Sequence, residues 1–214
     1  MSQFHEKEGI LFIISAPSGA GKTTLVNALV KSDPKLTLSV SYTTRPRRPE
    51  EIENVAYHFI DEDGFRGMVD SDSFLEHARV FDHLYGTGRQ WVADKLANRI
   101  DVLLEIDWQG AQQVRQKMHD TVSLFILPPS FQALEDRLRG RGDNAAQVKR
   151  RMEEARREMS HYGEYDYLII NEDFEFALQE LKAIIRTKRH HYPLQKRFFD
   201  EFARQLLEQA GNIQ

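Results

Sequence analysis

Ile10-Leu11-Phe12-Ile13-Ile14-Ser15-Ala16-Pro17-Ser18-Gly19-Ala20-Gly21-Lys22-Thr23 is the stretch on which the fold turns. Its first five residues form a short, fully apolar, isoleucine-rich run, the pattern of a strand buried on both faces of a parallel sheet. The run stops at Ser15-Ala16-Pro17, where a turn is expected. From Thr23 onward Leu25, Val26, Leu29 and Val30 recur at helical spacing, and Asp33-Pro34 ends the pattern, because a residue before proline is pushed out of the helical region. Strand, glycine loop and helix therefore follow in the order a phosphate-binding loop requires. Glycines let successive backbone N–H groups converge on one point, the helix N-terminus adds partial positive charge, Lys22 adds a full charge and the Thr23 hydroxyl can ligate magnesium. Ala16, Pro17, Ser18, Gly19, Ala20, Gly21, Lys22 and Thr23 are read as a triphosphate cradle. Ala16 stands where the usual GxxxxGK[ST] pattern begins with glycine and lacks that residue's free positive-φ range. A methyl is expected to be tolerated there. An ordinary glycine-rich turn is the bland alternative, and the coincidence of strand, glycines, Lys-Thr and helix disfavours it.

Outward from the loop, the strand-helix alternation repeats. Val102 to Ile106 precedes a helix from Gly110, Val122 to Leu127 precedes Pro128-Pro129, and Tyr167 to Ile170 precedes a helix over Phe174 to Ile185. The expected fold is α/β, a three-layer arrangement in which a parallel sheet is flanked by helices. Two stretches break the rhythm. Residues 39–96 alternate short extended pieces with turns and are read as an inserted substrate subdomain; residues 134–154, with Gly140-Arg141-Gly142-Asp143 between two helical patterns, are read as a mobile helical lid. The core is then assembled from 1–38, 97–133 and 155–214, the last ending in helices. There Phe198, Phe199, Phe202, Ala203, Leu206, Leu207 and Ala210 make an apolar stripe that suits core packing or a subunit contact, so a homo-oligomer is possible.

Composition narrows the chemistry. A chain of 214 residues, 41% hydrophobic, is expected to bury one substantial core and carry one active site. No run of roughly eighteen apolar residues occurs, and the opening MSQFHEKEG carries two acids, so neither a membrane span nor a signal peptide is expected and the location is read as cytoplasmic. The absence of cysteine excludes disulfides, cysteine-bound zinc and iron-sulfur clusters, leaving Mg2+ as the natural metal. A formal net charge of -4 argues against broad nucleic-acid binding, so anion recognition must be local.

Local cations are present. Ser41-Tyr42-Thr43-Thr44-Arg45-Pro46-Arg47-Arg48 puts three guanidiniums within four residues, pinned by prolines, and a fork of donors matches phosphate geometry. A solvated charged loop is the alternative. Between Arg137 and Arg157 eight basic residues face three acidic ones, around a glycine-flanked Arg141 that could swing over bound nucleotides. Pairs such as Arg150 with Glu154 are the ordinary helix-surface reading. Arg141 and Arg151 are taken as functional and most of the others as solvated.

The segments APSGAGKT, SVSYTTR, FLEHARVFDHLYGT, LLEIDWQGA, LRGRG, RRM and SHYGEYDYLIIN together resemble the bacterial guanylate kinase family, in the family's order and over nearly the whole chain. The resemblance implies ATP-dependent phosphorylation of GMP to GDP, with dGMP expected as well, and makes the 39–96 insertion a GMP-binding subdomain. It implies that Ser41, Glu76, Thr87 and Asp107 read the guanine, while Arg45, Arg48, Tyr57 and Tyr85 hold the GMP phosphate. It further implies that Lys22, Arg45, Arg141 and Arg151 are catalytic, that Asn171 lies near the adenine of ATP, and that Mg2+ arrives with ATP at Thr23. A carboxylate at Glu76 can accept from both N1–H and the 2-amino group of guanine, whereas adenine offers it an unprotonated ring nitrogen. Such mismatches discriminate by on the order of 10⁴ when a buried polar group is left unpaired. A general base is unnecessary, because a phosphate monoester with a second pKa of about 6 is already largely dianionic at neutral pH.

Two departures from the family pattern leave alternatives open. Asp143-Asn144-Ala145-Ala146-Gln147 is one residue shorter than the usual acidic stretch, so Arg150 or Arg151 could be the second lid arginine. Glu50 stands where glycine is common, which leaves the parts of Arg47 and Arg48 interchangeable. His190-His191, His77 and His83 have no metal-ligand spacing, and the basic run Arg186, Lys188, Arg189, Lys196 and Arg197 reads as solvated helix surface. A related kinase acting on a sugar phosphate and a non-catalytic guanylate-kinase-like protein-binding module are the competing functions; the intact Gly21-Lys22-Thr23 opposes the second.

Overall fold

The computed structural model describes residues 9–140 and 144–211. Its strands are β1 (Leu11–Ser15), β2 (Leu36–Leu38), β3 (Tyr42–Thr43), β4 (His58–Phe59), β5 (Phe74–Val80), β6 (His83–Gly88), β7 (Asp101–Glu105), β8 (Val122–Leu127) and β9 (Tyr167–Ile170). Its helices are α1 (Lys22–Ser32), α2 (Glu62–Asp70), α3 (Arg89–Ala97), α4 (Trp108–Lys117), α5 (Phe131–Arg139), α6 (Ala145–Met159), α7 (Phe174–Lys188) and α8 (Lys196–Gly211).

The main sheet runs β2-β7-β1-β8-β9 and every pairing in it is parallel. The apolar runs read from the sequence are its central strands, which explains why they show no alternation: both faces of β1 are buried, with Phe12, Ile13 and Ile14 at 0% exposure. On one face Phe12, Ile14 and Leu124 pack with Leu25 and Leu29 of α1 and Leu178 and Leu181 of α7. On the other, Ile13, Leu104 and Phe125 pack with Val92 of α3 and Val114 of α4. These are the three layers expected from the alternation. No helix among the described residues is long and apolar enough to cross a membrane.

A second, mixed sheet of order β4-β3-β6-β5 is built from the 39–96 insertion. The reading of that stretch as extended pieces and turns needs correction, because it also holds α2 and α3. Asp61 starts α2 by accepting the Gly64 N–H at 2.7 Å, but Gly64 and Gly67 inside it weaken the local helix signal. α3 is polar on most faces and buries only Val92. Similarly, α4 begins at Trp108 and not at Gly110, since Asp107 caps it, and α7 continues to Lys188. The C-terminal stripe is only partly used: Leu206 and Leu207 on α8 remain exposed.

Candidate active site

The chain leaves β1 at Ser15 and enters α1 at Lys22 through two left-handed glycines, Gly19 at φ +97° and Gly21 at φ +91°. Any side chain there would be strained, and a Cβ on Gly21 would lie 2.4 Å from the Asn171 amide nitrogen. Ala16 is buried and is not among the positive-φ residues, so its methyl fits where glycine is usual. Gly21 at the N-cap leaves the first turn of α1 without a capping side chain, the condition under which a helix N-terminus receives an anion. Behind the loop, buried Asn171 donates from Nδ2 to the Ala20 carbonyl at 2.7 Å, and Arg137 of α5 donates to the Asn171 carbonyl at 3.0 Å. Gly21, Thr24, Arg137, Asn171 and Phe174 border a cavity of about 450 Å³ beside the loop. A larger cavity of about 550 Å³, between Gly9, Leu96, Met118 and Leu194, lies among the opposite ends of the strands and does not adjoin the loop.

Across from the loop, Glu76 of β5 is 3% exposed and accepts the Thr87 hydroxyl of β6 at 2.6 Å. Burial pushes its carboxyl up to about 7; the Thr87 bond opposes that rise and the charge of Asp107 adds to it. Asp107 accepts from the Gly110 N–H and from Gln109 Nε2, both at 2.9 Å. The arginine segment is organised by Glu51, which takes the Arg45 guanidinium at 2.6 Å and the Arg48 backbone N–H at 2.8 Å, while Arg47 Nη1 donates to its carbonyl at 3.1 Å. The Arg45 guanidinium lies 5.4 Å from the Tyr57 ring centroid, and Tyr57 meets Tyr85 edge-on at 5.8 Å. Burial pushes the Tyr57 hydroxyl up to about 12, so it is a neutral donor at physiological pH. Arg47 and Arg48 are exposed, and Ser41, half-buried, precedes β3. Arg45, Tyr57 and Tyr85 are thus together, with Glu76, Thr87 and Asp107 forming a second group.

The two groups act on each other electrostatically. The charge of Asp107 acts on Glu76 and also on Glu158 beside the loop, and that of Glu105, bound to the loop, acts on Tyr57. A family model described as guanylate kinase matches residues 8–188. The chain belongs to the guanylate kinase family. It is 57% identical over 183 residues to the guanylate kinase of Methylococcus capsulatus, covering 85% of this chain and 90% of that one. It is 51% identical over 203 residues to that of Escherichia coli K12, covering 94% and 98%. Among solved structures, the guanylate kinase of Anaplasma phagocytophilum matches with a TM-score of 0.72 at 34% identity, over 86% of this chain and 88% of that one. Membership makes this chain a nucleoside monophosphate kinase.

In this guanylate kinase two neighbouring arginines of α6 part company near the phosphate loop. Arg151 of α6 donates to the Ser18 hydroxyl at 3.4 Å. Arg150 instead reaches Asp82 at 3.2 Å and lies 5.1 Å from the Phe81 ring centroid, at the β5–β6 turn. Of the two candidates, Arg151 is the one at the loop. Arg141 lies outside the described residues.

Two carboxylates at the loop escaped the sequence reading. Glu105 at the end of β7 accepts the Thr23 hydroxyl at 2.6 Å and lies 3.6 Å from Lys22 Nζ. Its signal was available: an acid closing the apolar run Val102 to Leu104, on a strand adjacent to the loop. Glu158 of α6 is half-buried and accepts the Ser18 backbone N–H at 3.2 Å. Burial pushes it up to about 7, against the pull of Lys22 and of the Ser18 bond. In the sequence it is one acid among several in a charged helix, with nothing to single it out. A hydroxyl and a carboxylate oxygen at Thr23 and Glu105 are hard donors suited to magnesium. Among the described residues no group of three or more acids and histidines could hold a metal without a ligand's help. Two such oxygens fit a magnesium ion that keeps water and phosphate oxygens for the rest of its coordination.

Proposed function

We propose that this chain transfers the γ-phosphoryl group of ATP to GMP, forming ADP and GDP, with dGMP accepted as well. A GMP phosphate oxygen attacks the γ-phosphorus, and the bond to the β–γ bridging oxygen breaks as ADP leaves. The observation that supports this reading is a phosphate loop carrying Lys22 and Thr23, bound to Glu105, together with a buried Glu76–Thr87 pair and an Arg45 guanidinium beside Tyr57, on which the Glu105 charge acts. Loop N–H groups and Lys22 hold the ATP phosphates, and the cavity beside Asn171 receives the adenine. Ionised Glu76 accepts N1–H and the 2-amino group of guanine, with Thr87, Ser41 and Asp107 completing the base site. Arg45, Arg48, Tyr57 and Tyr85 take the GMP phosphate once it displaces Glu51 from Arg45. Arg151, with Arg141 from the lid segment 134–154, neutralises charge spread over the transferring oxygens. Mg2+ brought with ATP would be held at Thr23, next to Glu105, and would supply further neutralisation of the β- and γ-phosphates. Catalysis is positioning and charge stabilisation, so no side chain needs to act as a base.

A coupled assay of ADP release across GMP, dGMP, AMP, CMP, UMP and a set of sugar phosphates tests the reading. GMP-dependent turnover with AMP a poor acceptor is expected; comparable turnover of AMP or of a sugar phosphate overturns the guanine assignment.

A further inference from the structure

One face of α4 is given over to β5. The ladder between β5 and β6 slips between Phe74 and Glu76, and such an irregularity re-aims the side chains that follow it. The side chain re-aimed here is Glu76, which comes directly opposite Thr87. The peptide groups on both sides of Glu76 are then gripped from α4. Lys117 Nζ donates to the Leu75 carbonyl at 2.7 Å. Gln113 accepts the His77 N–H at 3.2 Å and donates to the His77 carbonyl at 2.7 Å, so its side-chain amide pairs with the strand as a neighbouring peptide would. One turn earlier the helix backbone passes so close that a Cβ on buried Gly110 would lie 2.5 Å from Glu76 Oε2 and 3.1 Å from its Cδ. The carboxylate has little room to yield, being 3% exposed and tied to Thr87 at 2.6 Å. Nor is the helix free to retreat, because the same Gln113 and Lys117 bonds tie it to β5.

We propose that Gly110 and Gln113 are specificity-determining positioning residues, which hold the Glu76 carboxylate at the one place from which it can read guanine. Their part is to fix Glu76, and not to contact the base. This rests on the reading of Glu76 as the guanine acceptor. A displacement of about 1 Å at a reacting or reading group can cost on the order of 100-fold, so a crowding methyl at 110 is enough to erode discrimination.

The test is steady-state kinetics of Gly110→Ala, Gln113→Met and Glu76→Gln beside wild type, with GMP, AMP and ATP each varied, and thermal denaturation of every variant. Methionine at 113 keeps the volume and removes both bonds. The expected result is a rise of about tenfold in KM for GMP, a matching fall in the GMP-over-AMP ratio of kcat/KM, and an unchanged KM for ATP. General loosening of the site would raise both KM values together, and that outcome overturns the proposal. So does a wild-type GMP-over-AMP ratio in the folded variants; if Gly110→Ala does not fold, Gln113→Met decides. Should Glu76→Gln itself keep full guanine selectivity, the reading of Glu76 fails and the positioning proposal falls with it. If only Glu76→Gln loses selectivity, the site reading stands and the α4 proposal alone is wrong.

Discussion

Two buried acids of this molecule, Asp101 and Glu76, are supplied with partners in opposite ways. At the amino ends of the strands Asp101 is 5% exposed and fully supplied: Arg189 Nε reaches one oxygen at 2.6 Å and the Ile10 N–H the other at 2.8 Å. The same guanidinium takes Asp33 at 2.6 Å, tying the ends of α1 and α7 to β7. Burial works to raise Asp33, but its bonds to Arg189 and the Lys35 N–H outweigh that and hold it below the ordinary carboxylate range. At the carboxyl ends and beyond, Glu105 keeps Lys22 at 3.6 Å, whereas Glu76 is buried against a hydroxyl and half-buried Glu158 lies against a backbone N–H, and among the described residues neither of these two has an ion-pair partner. Both titrate near 7 because burial disfavours the charge. An acid that holds the fold together is given its cation by the fold; Glu76, the acid proposed to read the base, is left with a hydroxyl, at a cost in stability.

The sharpest way to probe that contrast is to remove a charge from each end. Lys22→Ala takes away the full charge of the phosphate loop and is expected to lower kcat by about 10²–10³-fold while leaving the melting temperature near wild type. A rate within about threefold of wild type would mean the loop is misread. At the other end, Arg189→Met strands a buried carboxylate at Asp101. A stability loss of about 2 kcal/mol is expected, below the roughly 3–5 kcal/mol of a fully buried broken pair because Arg189 and Asp33 are partly solvated. Denaturant unfolding measures it, and KM for GMP below the unfolding range should not move. Unchanged stability would dissolve the contrast between the ends.

The smallest effect concerns pH. The folded-state pKa of Glu76, about 7, is above its ordinary value of 4.5. The native chain therefore holds a proton that the unfolded chain has lost, and its stability falls as pH rises through this window. Below about 4.5 both states are protonated and Glu76 has no effect; above about 7 its penalty is complete. Glu76→Gln should accordingly gain stability over wild type progressively between pH 5 and 8, by on the order of 1–2 kcal/mol, read as the difference between two melting series. A difference that stays flat, or shrinks with rising pH, would show that Glu76 is not the penalised acid described above.

Legibility in the sequence tracked how local each feature is. β8 was readable to the residue as Val122–Leu127 because a doubly buried strand needs only a contiguous apolar run. α2 was not, because Gly64 and Gly67 weaken its signal and its stabilising contact is Phe65 packed against Phe74, with ring centroids 4.6 Å apart. The choice between Arg150 and Arg151 could not be made from adjacent letters. It depends on which side of α6 faces Ser18, and that is set by the packing of Val148 and Ala155 against α5.

By itself, then, the sequence determined the phosphate loop and the parallel sheet, since both are written in unbroken runs whose backbone needs are local. Only the tertiary structure decided which acids are buried and what stands against them. Glu76 meets Gly110, and Glu158 meets Ser18 across 140 positions, because packing brings them together. Desolvation, which gives those acids their character, is a property of the assembled surroundings and not of any neighbouring residue.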